Sequence, residues 1–310
     1  MSLAVLRTSE RWYVADGDSA VPVDADLPTT AALLSAGAVA LRAAAAGRGG
    51  VPVDTLDLRS PVTAPCRVVA QAVNYRDHAR QSGFGADPPV VFFRKASASI
   101  SGPGDEVVRP AHVRLLDYEV ELGLVLGRRL ELGATVTEAD LPSYVTGLVM
   151  ADDLSARDVQ LEQGQFYEGK SYPGFTPTGP RLVLLEPGEL ALLPSLRLRL
   201  WVNGEPRQDG SAADMVTGPA AALTRLAGFQ PMDPGDLLLT GTPGGTALRA
   251  PPALVAWAGG ALPTALKWRV FFAREARNPA YLKDGDVVTA SIATPDHAID
   301  LGTQRTVVRD

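Results

Sequence analysis

The sequence predicts an α+β or mostly-β fold in which strands dominate and helices are few. Short apolar runs split by Gly, Pro and Asp recur from Cys66 onward, and helical patterns are sparse. The two are not interleaved regularly, as a doubly wound parallel sheet would require.

Taken in order, residues 1–64 read as a small N-terminal domain. It has a strand pair near Val5 and Trp12–Val14. A helix then starts after Pro28 at Thr29 and Thr30 and stops at Gly47, Gly49 and Gly50. Residues 65–310 form the main unit, with strands expected at Val68–Ala72, Val90–Phe93, Val120–Leu126, Leu182–Leu185 and Val287–Ile292. Leu196–Val202 alternates Leu with Arg and ends at Asn203-Gly204, a favoured tight-turn pair. Helices are expected at Tyr75–Gln81, after Ser155, and at Gly218–Ala227. Leu248–Tyr281, rich in Ala, Pro and Trp, reads as an insertion that serves as a lid or a partner surface.

With 46 % apolar and 21 % charged residues, the composition is that of a soluble globular protein. A net charge of −6 supplies no broad basic field, so neither nucleic acid nor acidic lipid is expected as a partner. Cys66 is the single cysteine, which excludes an internal disulfide and a cysteine-based metal cluster and suits the cytoplasm. Arg7, Glu10 and Arg11 stand where a signal peptide would need an apolar core. The apolar stretch Ala31–Ala46 is too short to span a membrane. Positive charge is nearly all arginine. The lysines are only Lys95, Lys170, Lys267 and Lys283, which draws attention to any lysine set among glycine and polar residues.

Asp117-Tyr118-Glu119-Val120-Glu121-Leu122-Gly123 is the most informative stretch. On a strand, Glu119 and Glu121 share one face while Val120 and Leu122 share the other. Two neighbouring carboxylates repel unless a cation or a proton lies between them, and a hard divalent ion meets that need. A solvated strand face would carry the same pattern. In Asp152-Asp153-Leu154-Ser155-Ala156-Arg157-Asp158-Val159-Gln160 an apolar strand runs into two acids and then a helix. Ser155 and Asp158 have capping-box spacing, which predicts a helix start just after Asp153 and leaves that acid at a strand-to-helix corner. Arg157 and Gln160 then share a helical face, either to meet an anionic substrate or as part of a well-capped surface helix. Lys170 lies between Gly169 and Ser171, which suits close approach to a ligand. Thr240-Gly241-Thr242-Pro243 offers backbone N–H groups and a hydroxyl to an anion, without the lysine of a P-loop.

In this order and spacing, these patches resemble the fumarylacetoacetate hydrolase family. Asn74-Tyr75-Arg76-Asp77-His78, Phe93-Arg94-Lys95, Gly169-Lys170-Ser171 and Val202-Asn203-Gly204-Glu205 extend the likeness over most of residues 66–310. The resemblance implies a mixed β-sandwich roll assembled as a homodimer, and a Mg²⁺, Mn²⁺ or Ca²⁺ ion held by Glu119, Glu121 and Asp153. It places substrate binding on Tyr75, Arg157, Gln160, Lys170 and Thr242, and catalytic work on His78 and Lys170. The substrate class implied is a small oxo acid. The leading expectation is metal-dependent hydrolysis of a C–C bond in an acylpyruvate or diketo acid. Decarboxylation, isomerisation or hydration of 2-oxo acids in aromatic catabolism is the alternative, and a catalytically silent binding protein is a third. One departure matters. Family hydrolases pair this histidine with a glutamate three residues on, where this chain has Gln81. A Gln can orient an imidazole but cannot raise its basicity by charge, so the readings are that another acid, Asp77 or Glu168, substitutes, that His78 acts alone, or that the reaction needs no hydrolytic water. Where loss of the pair limits hydrolysis, Gln81→Glu should raise it. His112 and His297 read as ordinary surface or hydrogen-bonded residues.

Overall fold

A computed structural model describes residues 2–85, 88–186, 188–250 and 264–310. In chain order the first half contains β1 (Leu3–Arg7), β2 (Trp12–Asp16), β3 (Ser19–Pro22), α1 (Thr30–Ala45), β4 (Val51–Pro52), β5 (Val68–Ala72), α2 (Arg76–Gln81), β6 (Val91–Lys95), β7 (Ile100–Ser101), β8 (Glu106–Val108), β9 (Leu116–Asp117), β10 (Val120–Leu126), α3 (Leu141–Tyr144) and β11 (Val145–Asp152). The second half contains β12 (Ser155–Ala156), α4 (Arg157–Gln163), β13 (Thr176–Leu184), β14 (Arg197–Val202), β15 (Glu205–Ser211), α5 (Pro219–Ala227), β16 (Leu237–Leu239), α6 (Thr264–Glu275), β17 (Val287–Ala293) and β18 (Asp300–Arg309).

Two large sheets face each other, one ordered β4-β3-β2-β1-β13-β11-β10-β16-β5-β6 and the other β15-β14-β17-β18-β8. Strand periodicity explains the packing. Leu122, Leu124 and Leu126 of β10 point into the space between the sheets, where Leu198, Leu200 and Ile292 meet them. Val125 of β10 and Val149 of β11 point the other way and are covered by Val5, Trp12, Leu33 and Leu41. Both faces of the central strands are therefore buried, which is why they read as unbroken apolar runs rather than alternating ones. Gly123 is required in β10 because a Cβ there would sit 2.8 Å from both Leu237 Cδ1 and Val149 Cγ1.

The strand–helix assignments hold with several differences. The expected N-terminal strand pair is a four-strand ribbon, and β1 pairs with β13 (Leu3 opposite Leu184), so the large sheet runs across the boundary expected near residue 64. Thr29 caps α1 as expected, its hydroxyl accepting from Ala32 N at 3.1 Å. The strand expected at Leu182–Leu185 begins earlier, at Thr176, because Gly179 and Pro180 in its first half mask the pattern. The expected capping box is not formed. Ser155 pairs in the short β12–β9 ladder, its hydroxyl donates to the Asp153 carbonyl (2.9 Å), and Asp158 accepts from Arg114 N (2.8 Å). The helix consequently starts at Arg157 with no side-chain cap. Part of the expected insertion, residues 251–263, lies outside the described residues. Its far end is α6, whose Phe272 packs on Leu115, Ala247 and Tyr281. No helix among the described residues is long and apolar enough to cross a membrane.

Candidate functional site

The site forms where β10 and β11 end side by side. Val120 pairs with Asp152 and Glu121 with Ala151, which puts Glu119 just before one strand and Asp153 just after the other. Asp153 N donates to the Glu119 carbonyl at 2.8 Å and locks the two residues together. Glu121, two residues along β10, falls on the same side as Glu119. Glu119, Glu121 and Asp153 each bring one carboxylate oxygen to within 4.8 Å of the others, and all three are buried. A solvated strand face is thereby excluded.

Buried cations surround the acids unevenly. Lys170 Nζ donates to Glu119 at 2.6 Å and to Asp153 at 2.7 Å. Lys95 Nζ donates to Asp153 and to the Phe175 carbonyl. Arg157 Nη2 pairs with Glu119, its Nε donates to Asp117 at 2.8 Å, and its Nη1 donates to Gln160 Oε1 at 3.0 Å. Burial disfavours ionisation of Glu119, but Arg157 and Lys170 outweigh it and pull its pKa down. Burial likewise opposes the Lys170 ammonium, which Asp153 and Glu119 nonetheless hold protonated more firmly than usual. Glu121 has no cation on it among the described residues. Its one recorded hydrogen bond comes from Gly241 N at 2.9 Å, and burial, with Asp153 and Glu119 alongside, pushes its pKa well up. Asp152, whose carboxylate accepts from Glu119 N at 2.8 Å, is pushed up to about 7, chiefly by burial.

These features fit a hard divalent cation. The donors are all carboxylate oxygens, and Glu121 is the group such an ion would neutralise. When all are ionised, Asp117, Glu119, Glu121, Asp152 and Asp153 also outnumber Lys95, Arg157 and Lys170.

A cavity of about 580 Å³ opens over Glu119 and Glu121. Its inner end carries His78, Glu119, Glu121, Arg157, Gln160 and Lys170, and its walls carry Phe84, Phe93, Leu161, Phe166, Trp268 and Phe271. The Lys170 ammonium lies 5.0 Å from the Phe93 ring centroid, on its face. His78 reaches the cavity from α2. It is buried, and its Nδ1 has no hydrogen-bond partner among the described residues. Burial is the main cause lowering its pKa from the ordinary 6.5, so the imidazole is neutral at pH 7.

Not every expected residue takes the expected part. Tyr75 is absent from the cavity lining. As the extended residue before α2 it bridges to Met215, joins the core between the sheets, and borders a separate polar cleft with Arg207 and Asp214. Thr242 lines the cavity, but its hydroxyl donates to the Val120 carbonyl (2.9 Å) and accepts from Gln208 Nε2 (2.8 Å). Together with Gly241 N on Glu121, these bonds tie the Thr240–Pro243 loop to the acids. Gln81 does not orient His78. Its Oε1 accepts from Gly245 N at 2.9 Å, and its carbonyl accepts from Ala250 N. Neither expected substitute replaces it, because Asp77 is exposed on Arg80 and Glu168 is exposed on Gln163 and Tyr172.

Sequence reasoning left Lys95, Asp117, Asp152 and Gln208 outside the site. Lys95 was detectable through the scarcity of lysine and its place at the end of an apolar strand. Asp117 accepts from Ala247 N and Leu248 N as well as from Arg157, tying the cavity rim to the acids. Nothing local to residue 117 announces that.

Comparison with known proteins gives the family. Residues 67–309 match the family model described as fumarylacetoacetate (FAA) hydrolase C-terminal. The mitochondrial oxaloacetate tautomerase Fahd2a of Rattus norvegicus is 35 % identical over 219 residues, covering 70 % of this chain and 68 % of that protein. The 2,4-didehydro-3-deoxy-L-rhamnonate hydrolase of a Sphingomonas species is 34 % identical over 251 residues, 81 % of this chain and 75 % of that one. Among solved structures, a probable 2-hydroxyhepta-2,4-diene-1,7-dioate isomerase from Mycobacterium abscessus superposes with a TM-score of 0.74 at 30 % identity, covering 100 % of this chain and 99 % of the other. The fold, the buried acids and a match spanning most of the length lead to one conclusion: this chain belongs to the fumarylacetoacetate hydrolase family of enzymes.

Proposed function

We propose that the protein is a metal-dependent enzyme that moves a proton on a small 2-oxo acid, as a tautomerase or isomerase does. The observation that carries this is His78. It is a buried, neutral imidazole with a free Nδ1 and no carboxylate hydrogen-bonded to it among the described residues, in the same cavity as Glu119, Glu121 and Lys170. A divalent cation on Glu119, Glu121 and Asp153 would supply Lewis-acid stabilisation of developing enolate charge. Lys170 and Arg157 bring further positive charge to the same end, and the side-chain nitrogen of Gln160 is free to donate because only its Oε1 is engaged by Arg157. His78 takes the proton from the carbon beside the 2-oxo group and returns it elsewhere on the substrate. The names of the oxaloacetate tautomerase and dienedioate isomerase relatives support this reading.

Hydrolysis of a C–C bond is the second reading, favoured by the rhamnonate hydrolase relative. One experiment separates the two. Oxaloacetate and acylpyruvates are followed by proton NMR in D₂O with Mg²⁺ or Mn²⁺, recording deuterium uptake at C3 and any cleavage products. Metal-dependent exchange well ahead of cleavage is expected, and cleavage without prior exchange would overturn the proposal. In the same assay Gln81→Glu is expected to leave cleavage within about twofold of wild type. The carboxylate would keep the bond to Gly245 N rather than serve His78. A tenfold gain in cleavage would instead restore an acid–histidine pair at this position.

A further inference from the structure

We propose that Gln71 is a specificity residue whose side-chain amide binds the oxygen that a substrate carries two carbons beyond its 2-oxo carbon. The 4-oxo group of an acylpyruvate and the distal carboxylate of oxaloacetate both present such an oxygen. The proposal rests on the reading above, in which the 2-oxo-acid end of the substrate lies against Glu119, Glu121 and Asp153.

The backbone fixes where Gln71 stands. β5 runs parallel to β16 with Ala70 opposite Leu239, so Gln71 is level with Thr240, where the loop bracing Glu121 begins. A Cβ on Gly241 would lie 3.0 Å from the Gln71 carbonyl, so loop and strand are in close contact. Val68 and Ala70 pack toward the N-terminal helix and Val69 packs between the sheets, as strand alternation requires. Gln71 lines the cavity instead.

The residue is 2 % exposed, yet neither Oε1 nor Nε2 has a hydrogen-bond partner among the described residues. A primary amide brings two donors and an acceptor, and leaving them buried and unused is unfavourable. A Leu or Met would fill the same space without that cost. Thr242 in the same lining is engaged by Val120 and Gln208, and Gln160 Oε1 by Arg157, whereas both polar atoms of Gln71 are unpaired. Much of the wall beyond is hydrocarbon and aromatic ring. A polar atom beyond the chelating end of a substrate therefore finds in Gln71 an amide whose donors and acceptor are all uncommitted. The amide can donate to a carbonyl or carboxylate or accept from an enol.

The test is binding, read before turnover. Stopped-flow quenching of tryptophan fluorescence, to which Trp268 in the cavity wall contributes, is recorded with saturating Mg²⁺ for 2,4-dioxopentanoate, 2-oxopentanoate and oxalate. The wild-type protein is expected to bind the dioxo acid roughly tenfold more tightly than 2-oxopentanoate, the worth of one neutral hydrogen bond. Gln71→Met is expected to bring that ratio to about one while leaving 2-oxopentanoate and oxalate unchanged, with Gln71→Leu as the second variant. An unaltered ratio, an equal loss for all three ligands, or failure of both variants to fold would overturn the proposal. If the wild-type protein bound neither oxalate nor either oxo acid with Mg²⁺ or Mn²⁺, the proposed function would fall and this inference with it. Normal oxalate binding without a Gln71 effect sinks the inference alone.

Discussion

Asp153→Ala is expected to lower stability by about 3–5 kcal/mol and to abolish any response to Mg²⁺ or Mn²⁺. Both effects follow from one position. The carboxylate of Asp153 is fully buried and is held by Lys95 and Lys170, so its loss leaves two ammonium groups short of a counter-ion inside the protein. Urea unfolding in the presence of EDTA reads the first effect as a lower midpoint at unchanged slope. The second is read as loss of the metal-induced rise in melting temperature. Glu121→Gln provides the contrasting arm. Glu121 is destabilised by burial and by Asp153 and Glu119, and its pKa lies above the unfolded value. The apo protein therefore loses stability as pH rises from the unfolded glutamate pKa through the raised one. Removing this charge should stabilise the apo protein at pH above the unfolded glutamate pKa, increasingly so as pH rises through the raised one. Metal binding should still be lost. A destabilised apo Glu121→Gln protein, or a metal-responsive Asp153→Ala protein, would overturn the assignment of the acids.

His78→Asn is expected to reduce metal-dependent proton exchange on oxo acids by about 10²–10⁴-fold, the range for loss of a general acid–base group. Oxalate binding should change little, because His78 is not one of the three acids that would hold the metal. The pH profile gives an independent reading. Burial moves the imidazole pKa below 6.5, so wild-type kcat/KM should stay level down to that pH and fall only on further acidification, as the base becomes protonated. An acid limb with its midpoint above 6.5 would contradict a desolvated base, and full activity in His78→Asn would remove it from the reaction.

The sequence made the acids legible because their geometry is local. Two residues apart on a strand means one face, and an apolar strand ending in Asp152-Asp153 places Asp153 at an edge. The central strands were legible because burial on both faces leaves continuous apolar runs. What escaped is set by pairs distant in sequence. Lys95 meets Asp153 across 58 positions, and Gln208 reaches Val120 across 88. No period or spacing encodes such contacts. The expected capping box failed for a related reason. Ser155 is drawn into a ladder with Asp117, and that tertiary pairing overrides the local preference for a cap. Gln81 shows the limit from the other side. Its type was informative, but its partner is a glycine amide 164 positions away rather than the histidine one turn earlier.

The pairing of β1 with β13 bears on how the chain is made. Leu3 waits for Leu184, just as Val68 waits for Leu237 and Glu106 for Val307. At about 5–20 residues per second, a ribosome takes roughly 10–35 s to deliver the partner of the first strand. Until then Leu3, Val5 and Trp12, which end in the core, have no sheet to cover. The nascent chain must hold an open ribbon edge in solution throughout, at the stage when edge-to-edge association competes with folding. Slow translation and chaperone occupancy near residue 184 would therefore bear more on the yield of this protein than a modest change in its final stability.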